Sequence, residues 1–173
     1  MAKFKLNVGD IFTIPLSNNQ VGFGQIVNFP ITKDCFIMVV FDYRQDLKHV
    51  VDLANISSSP ILFLGYSLDA KLYHNSWSVI GNLIENISQI VLPYHKLGIS
   101  PNDMSITDYK GKILREATAN EFARLSYQTI ISPIRYENAL KAFYKFKEWN
   151  MADYDNLLYK HTLNSNEIFN SPC

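Results

Sequence analysis

The sequence predicts an α+β fold: a strongly curved, mostly antiparallel β-sheet or partly open barrel, with α-helices grouped at the C-terminus. Three observations carry this. Short apolar runs separated by turn residues fill roughly the first 130 positions. Two glycines, Gly22 and Gly24, sit one residue apart inside one of those runs. Near residue 130 the apolar spacing changes from period two to helical, so strands come first and helices after.

The first strand is "GDIFTIPL", residues 9–16, in which Ile11, Thr13 and Pro15 share one face and Phe12, Ile14 and Leu16 the other. Pro15 has no N–H to give a ladder and belongs at an edge or strand end. "SNNQ" supplies turn chemistry, because asparagine tolerates positive φ. "VGFGQIVNF" (21–29) is the return strand, so residues 9–29 read as a hairpin. A phosphate-cradling glycine loop lies between a strand and a helix start, and here a strand continues. The paired glycines therefore read as a coiled or bulged strand that another element crosses closely. A ligand groove over their bared face is the alternative.

"CFIMVVFDY" (35–43) is an almost continuous apolar run, the pattern of a central strand buried on both faces. The polar stretch 44–60 reads as a long, mobile connection. "ILFLGYSL" (61–68) is a strand, and another is expected around 75–80, closed by Gly81. A short segment ends at Pro93. Residues 104–118 read as two strands around the turn Tyr109-Lys110-Gly111. Ser132-Pro133 is an N-cap followed by proline at the first helical position, and Glu137 lies where it favours the helix dipole. Tyr136, Leu140, Phe143 and Tyr144 form one stripe of that helix, and Ala139, Ala142, Phe146 and Trp149 a second. A second short helix is expected over 152–160. One domain is expected over 1–173, β-rich to about 130 and helical over 131–161, with 162–173 a flexible tail.

The composition limits the function classes. The chain has 173 residues, 47% of them hydrophobic and 18% charged, with zero net charge. That is enough apolar material for a core without staples. It leaves no general basic field to draw in nucleic acid. Aromatics at 13% leave some for a surface that meets a partner. The two cysteines, Cys35 in a buried run and Cys173 at a mobile terminus, make no disulfide framework and suit a reducing compartment. The opening "MAKFKLNVGD" lacks the apolar centre of a signal peptide, and no run approaches the roughly 18 apolar residues of a membrane span. A cytoplasmic protein without a membrane partner is expected.

No local pattern carries catalysis. His49, His74, His95 and His161 do not pair at metal spacing, and there is no nucleophile elbow, P-loop or dinucleotide fingerprint. No metal and no cofactor are expected. Lys141, Lys145 and Lys147 beside aromatics have the makings of an RNA grip, but read more simply as a solvated helix face. The densest polar cluster is "FDYRQD" (41–46), with Asp52 soon after. Strand ends project groups into solvent, so Asp42, Tyr43, Arg44, Asp46 and Asp52 are the candidate site residues. The plainer account is that Asp42 caps a turn and Arg44 pairs with a nearby carboxylate.

Several of these stretches together resemble the immunity protein 26 family of bacterial polymorphic-toxin systems. They are "VGDIFTIPL" (8–16), "GFGQIV" (22–27), "VFDYR" (40–44), "PILF" (60–63), "WSVIG" (77–81), and the later Ser132-Pro133 helix with "YENAL". The resemblance implies a small cytoplasmic protein that binds a cognate toxin domain and neutralises it by occlusion, without catalysis. It supplies no catalytic residues. Gly9, Asp10, Gly22, Gly24, Trp77 and Gly81 match the pattern and read as fold determinants. On this reading Asp42, Asp46 and Asp52 would face a basic toxin surface, with Tyr43 as an aromatic anchor. The opening hairpin also resembles PemK-like toxins, whose barrels cleave RNA, and a small-molecule module using the face of Gly22 and Gly24 is a third reading.

Overall fold

The computed structural model describes residues 5–171, which leaves Cys173 outside the described residues. In chain order the elements are β1 (Asp10–Pro15), β2 (Gln20–Asn28), β3 (Cys35–Asp46), α1 (Leu53–Ser57), β4 (Ile61–Leu68), α2 (Ala70–Tyr73), β5 (Ser78–Asn82), β6 (His95–Leu97), β7 (Ser105–Thr107), β8 (Ile113–Glu116), α3 (Ala119–Arg124), β9 (Ile130–Ile131), α4 (Pro133–Phe143), α5 (Met151–Tyr154) and α6 (Tyr159–Asn170). The protein is thus α+β. The chain divides into two compact units, one from residues up to Gln89 with Ile130–Leu158, the other from Ile90–Thr129 with residues from Tyr159 onward.

The first unit is built on a six-stranded sheet of order β5-β1-β2-β3-β4-β9. Its pairings are antiparallel except for β4 with β9. The order ends on β5 and β9, so the sheet does not close into a barrel. The expected hairpin is present, with Ile11 opposite Gln25 and Pro15 opposite Val21. β3 is the central strand, and Cys35 through Phe41 are all buried. That burial on both faces is why its sequence is apolar without alternation.

One sheet face holds the larger core, where Phe12, Ile14, Ile26, Met38, Val40 and Phe63 pack against Trp77 and against Tyr136, Ala139 and Leu140 of α4. The glycines belong to this packing. A Cβ on Gly24 would lie 2.5 Å from the Phe12 ring, and one on Gly22 would lie 2.5 Å from Leu140 Cδ2. The bared face is therefore filled by side chains of this chain and offers no ligand groove. The β2–β3 register shifts between Gly22 and Gly24, as a bulged strand requires.

Several boundaries differ from expectation. The strand expected at 75–80 is β5 at 78–82, preceded by the helical turn α2. The connection 44–60 is shorter than its polarity implies, because β3 runs to Asp46 and α1 occupies 53–57. Ser132 and Pro133 do open α4, although the serine side chain makes no capping bond. The helix stops after Phe143, and Lys145 follows in the left-handed region at φ 66°. Phe146 and Trp149 therefore leave the helical stripe, and Trp149 stacks on Phe63 instead.

The second unit contains the antiparallel sheet β6-β7-β8 with α3 and α6. Ile106, Ala117, Leu125 and Ile168 form its core. The expected flexible tail at 162–173 is, as far as Asn170, helix α6. Thr162, Ser165 and Ile168 are buried there, and Phe169 stacks on Tyr94 with ring centroids 4.0 Å apart. Of these buried positions only Ile168 is apolar, and polar partners complete the face: Asn166 donates to Leu92 O and Ser165 accepts from Tyr94 N. α3 opens with a capping box in which Thr118 accepts from Glu121 N and Glu121 accepts from Thr118 N. Arg115 clamps that carboxylate with two bonds of 3.0 and 2.6 Å. Among the described residues no helix is long and apolar enough to cross a membrane.

Candidate functional site

β3 leaves the core after Phe41, and its last five residues alternate between exposed and half-buried. Successive side chains of a strand point to opposite faces, and this divides the five candidate residues. Asp42 and Arg44 turn toward the end of α4. The Tyr144 hydroxyl donates to Asp42 Oδ1 at 2.9 Å, and the Arg44 guanidinium lies 4.7 Å from the centroid of the Tyr144 ring. Burial, and then the Asp42 carboxylate beside it, push the Tyr144 phenol well above its ordinary pKa, so it stays a donor. Asp46 accepts from Gln20 Nε2 at 3.2 Å across the strand pair.

Tyr43 points the other way, against Phe23, with ring centroids 5.7 Å apart, and accepts from Asn55 Nδ2 at 3.4 Å. Asp52 sits at the N-cap of α1, where its Oδ1 accepts from the backbone N–H of Ala54 and of Asn55, both at 3.1 Å. The plainer account of the cluster does not hold as expected: the capping carboxylate is Asp52, and Asp42 accepts from Tyr144 instead. Arg44 engages an aromatic ring, and the ion pairs found among the described residues do not include it.

Arg44 and Asp46 line an open groove of about 830 Å³. Its other walls are the β1–β2 turn at Ser17, Asn19 and Gln20, the turn after β3 at Leu47–His49, and the end of α4 at Tyr144–Phe146. Sequence reading named two of these residues as site candidates. The rest come from the turn that directly follows them and from two stretches distant in the chain. The one local signal was the "SNNQ" turn, whose chemistry explains itself without a site.

The basic patch expected along α4 does not form as a row. Lys141 pairs with Glu137 at 2.7 Å and Lys147 donates to Asn138, which leaves Lys145 at the groove. Among the described residues no group of three or more His, Cys, Asp or Glu side chains is placed to hold a metal. His95, far from this groove in sequence, is buried, and burial lowers its pKa to about 4.

Two further networks hold the framework. Gln25, fully buried, donates to Leu83 O at 2.6 Å and accepts from Asn86 at 2.7 Å. Asp10 accepts from Asn82 at 2.8 Å and from Asn7 N at 2.8 Å. Gly9, at φ 91°, leads into this network where a Cβ would meet Ile84 and Leu83 O. These residues tie β1, β2 and β5 together, so Gly9 and Asp10 serve the fold.

A family profile described as Immunity protein 26 matches residues 7–105, more than half of the chain. The match spans β1 through β6, ends at the first residue of β7 and stops short of α4, so "YENAL" lies outside it. No curated protein and no solved structure gave a match.

Proposed function

Because the chain belongs to the immunity protein 26 family, we propose that it is an immunity protein of a bacterial polymorphic-toxin system. It binds a cognate toxin domain in the cytoplasm and neutralises it by occlusion, without catalysis of its own. The family match carries this reading. The surface chemistry supports it: the open groove at the end of β3 combines charged, aromatic and exposed apolar side chains, the mixture that protein interfaces use. The projecting end of β3 with its following turn is the contact surface, and Asp42, Tyr43, Arg44, Asp46 and Asp52 are its interface residues.

The test is protection. The C-terminal domain of the protein encoded just upstream is expressed with and without this chain, and surviving cells are counted. Survival that depends on this chain, with co-purification of the two, supports the proposal. A domain that kills regardless, or one that is harmless alone, removes it. Replacing Tyr43 with Ala is expected to weaken the complex by about 2 kcal/mol, in the range of aromatic anchors. Unchanged affinity would take Tyr43 out of the interface.

A further inference from the structure

The sign of the groove's charge says what it receives. Arg44, Lys48 and Lys145 line it against Asp46, and the Asp42 carboxylate stands beside it, bonded to the Tyr144 hydroxyl. Among the described residues the ion pairs are Lys71–Glu137, Arg115–Glu121, Arg135–Asp153 and Lys141–Glu137. The three groove cations are in none of them, although the chain as a whole is neutral. Positive charge that the fold leaves unneutralised on one concave surface attracts an anionic partner.

We propose that this groove is the part of the contact surface that takes an acidic segment of the toxin domain, a loop carrying carboxylates beside an apolar side chain. The proposal rests on the immunity reading and reverses the expectation that carboxylates here face a basic toxin surface. Arg44 is held over the Tyr144 ring, and Tyr144 is anchored by its bond to Asp42. The guanidinium is thus oriented before any partner arrives. That lowers the ordering cost of binding and suits the two-pronged grip of arginine on a carboxylate. Leu47 and Phe146, 57% and 43% exposed, border the same groove and supply apolar contact.

Lys145 adds an independent observation. It is not glycine, yet it occupies left-handed backbone at φ 66° directly after α4. Glycine is the residue that position favours, and a lysine stands there as part of the groove lining. A nucleic acid is the less favoured occupant. Its evenly spaced phosphates would meet Asp46 and the neighbouring Asp42, whereas a protein loop places its carboxylates individually and can fill the apolar border.

The experiment measures binding of the purified upstream toxin domain to the wild-type chain and to Arg44→Glu, Lys145→Glu and the charge-matched control Lys33→Glu. Lys33 is exposed and lies before the opposite end of β3. Circular dichroism melting confirms that each variant is folded, and Lys48→Glu replaces either groove variant that is not. Each groove reversal is expected to weaken binding about tenfold or more and to flatten its salt dependence, with Lys33→Glu unchanged. Reversing a toxin carboxylate to lysine is expected to restore binding to Arg44→Glu.

Full affinity in all groove variants would overturn the docking site while leaving the immunity reading standing. No binding by the wild-type chain would remove both. A 20-nucleotide oligouridine that binds the wild-type chain, fails to bind Arg44→Glu and leaves toxin binding untouched would overturn the proposal in favour of a nucleic-acid groove.

Discussion

Trp77 donates its indole N–H to Glu137 Oε2 at 3.1 Å. The bond joins residues 60 positions apart and ties the turn before β5 to α4. The same carboxylate meets Lys71 at 3.1 Å and Lys141 at 2.7 Å. Burial by itself would raise the Glu137 pKa, but the bonds from Lys141, Trp77 and Lys71 outweigh it and hold it below its ordinary value. On its other side the indole stacks on Phe12, with centroids 5.2 Å apart, and Phe12 fills the space that Gly24 leaves. Gly24, Phe12, Trp77 and Glu137 thus form one packed column through the core, which is why a tryptophan and a glycine of the family pattern serve the fold.

Breaking this column at its polar end leaves an unpaired indole N–H and two half-buried ammonium groups. Glu137→Ala is expected to destabilise the protein by about 3 kcal/mol. Trp77→Phe keeps the stack and both lysine contacts and is expected to cost about half as much. Urea unfolding measures both, and equal costs would mean that the lysines contribute little.

The two glycines should differ in their tolerance of a methyl group. At Gly24 a Cβ meets the Phe12 ring at 2.5 and 2.6 Å and Val39 O at 3.1 Å, and the stack on Trp77 holds that ring in place. At Gly22 the close contact is one methyl of Leu140. Gly24→Ala is expected to lose about 2–3 kcal/mol and Gly22→Ala about 1 kcal/mol. Gly22→Val and Gly24→Val should lose stability before they lose any specific binding. A variant that melts like wild type yet fails to bind would assign that glycine to the interface.

Lys145 predicts opposite signs for stability and binding. Lys145→Gly relieves left-handed strain and is expected to be neutral or to stabilise by up to about 1 kcal/mol. It also removes a groove cation, so the toxin complex should weaken. Thermal melting and calorimetry on one variant separate the two effects. Loss of stability would show that the lysine side chain is needed by the fold itself.

Acid should weaken the second unit in two stages. Burial lowers the His95 pKa from 6.5 to about 4. Between those values the unfolded chain binds the proton and the folded one does not. This contribution is complete above about pH 6.5 and is lost as pH falls to 4, with a ceiling of about 3 kcal/mol. The Arg115 fork, helped by Thr118 and opposed by burial, holds Glu121 at about 2, so its contribution is complete above 4.5 and is lost as pH falls through 2. Urea midpoints from pH 8 to 3 for wild type and His95→Gln test the first stage. An equally steep decline in the variant between pH 6.5 and 4 would assign it to other groups.

Strands were legible where their evidence is local. The hairpin of β1 and β2, the buried run of β3 and the full span of β4 follow from period-two or continuous apolar runs of a few residues. Short helices were harder to read. The capping box Thr118 to Glu121 was present in the sequence and marks α3, but a helix of six residues has too little periodicity to stand out. α6 was missed for another reason: it has low hydrophobicity and becomes stable through polar contacts made by Ser165 and Asn166, which no spacing rule encodes.

By itself the sequence determined the α+β order, the central strand and the helix start at Ser132-Pro133. Each of these depends on residues close together in the chain. Tertiary structure decided that Gly22 and Gly24 face Leu140 and Phe12, that Tyr43 and Arg44 turn to opposite faces, and that Glu137 serves Trp77 more than its own helix dipole. It also decided the groove. Residues 17–20 and 44–49 meet through the pairing of β2 with β3, and 144–146 join them because the end of α4 packs beside the emerging end of β3. The charge of a site is the sum over residues that packing assembles, and a chain of zero net charge carries no sign of where its cations will gather.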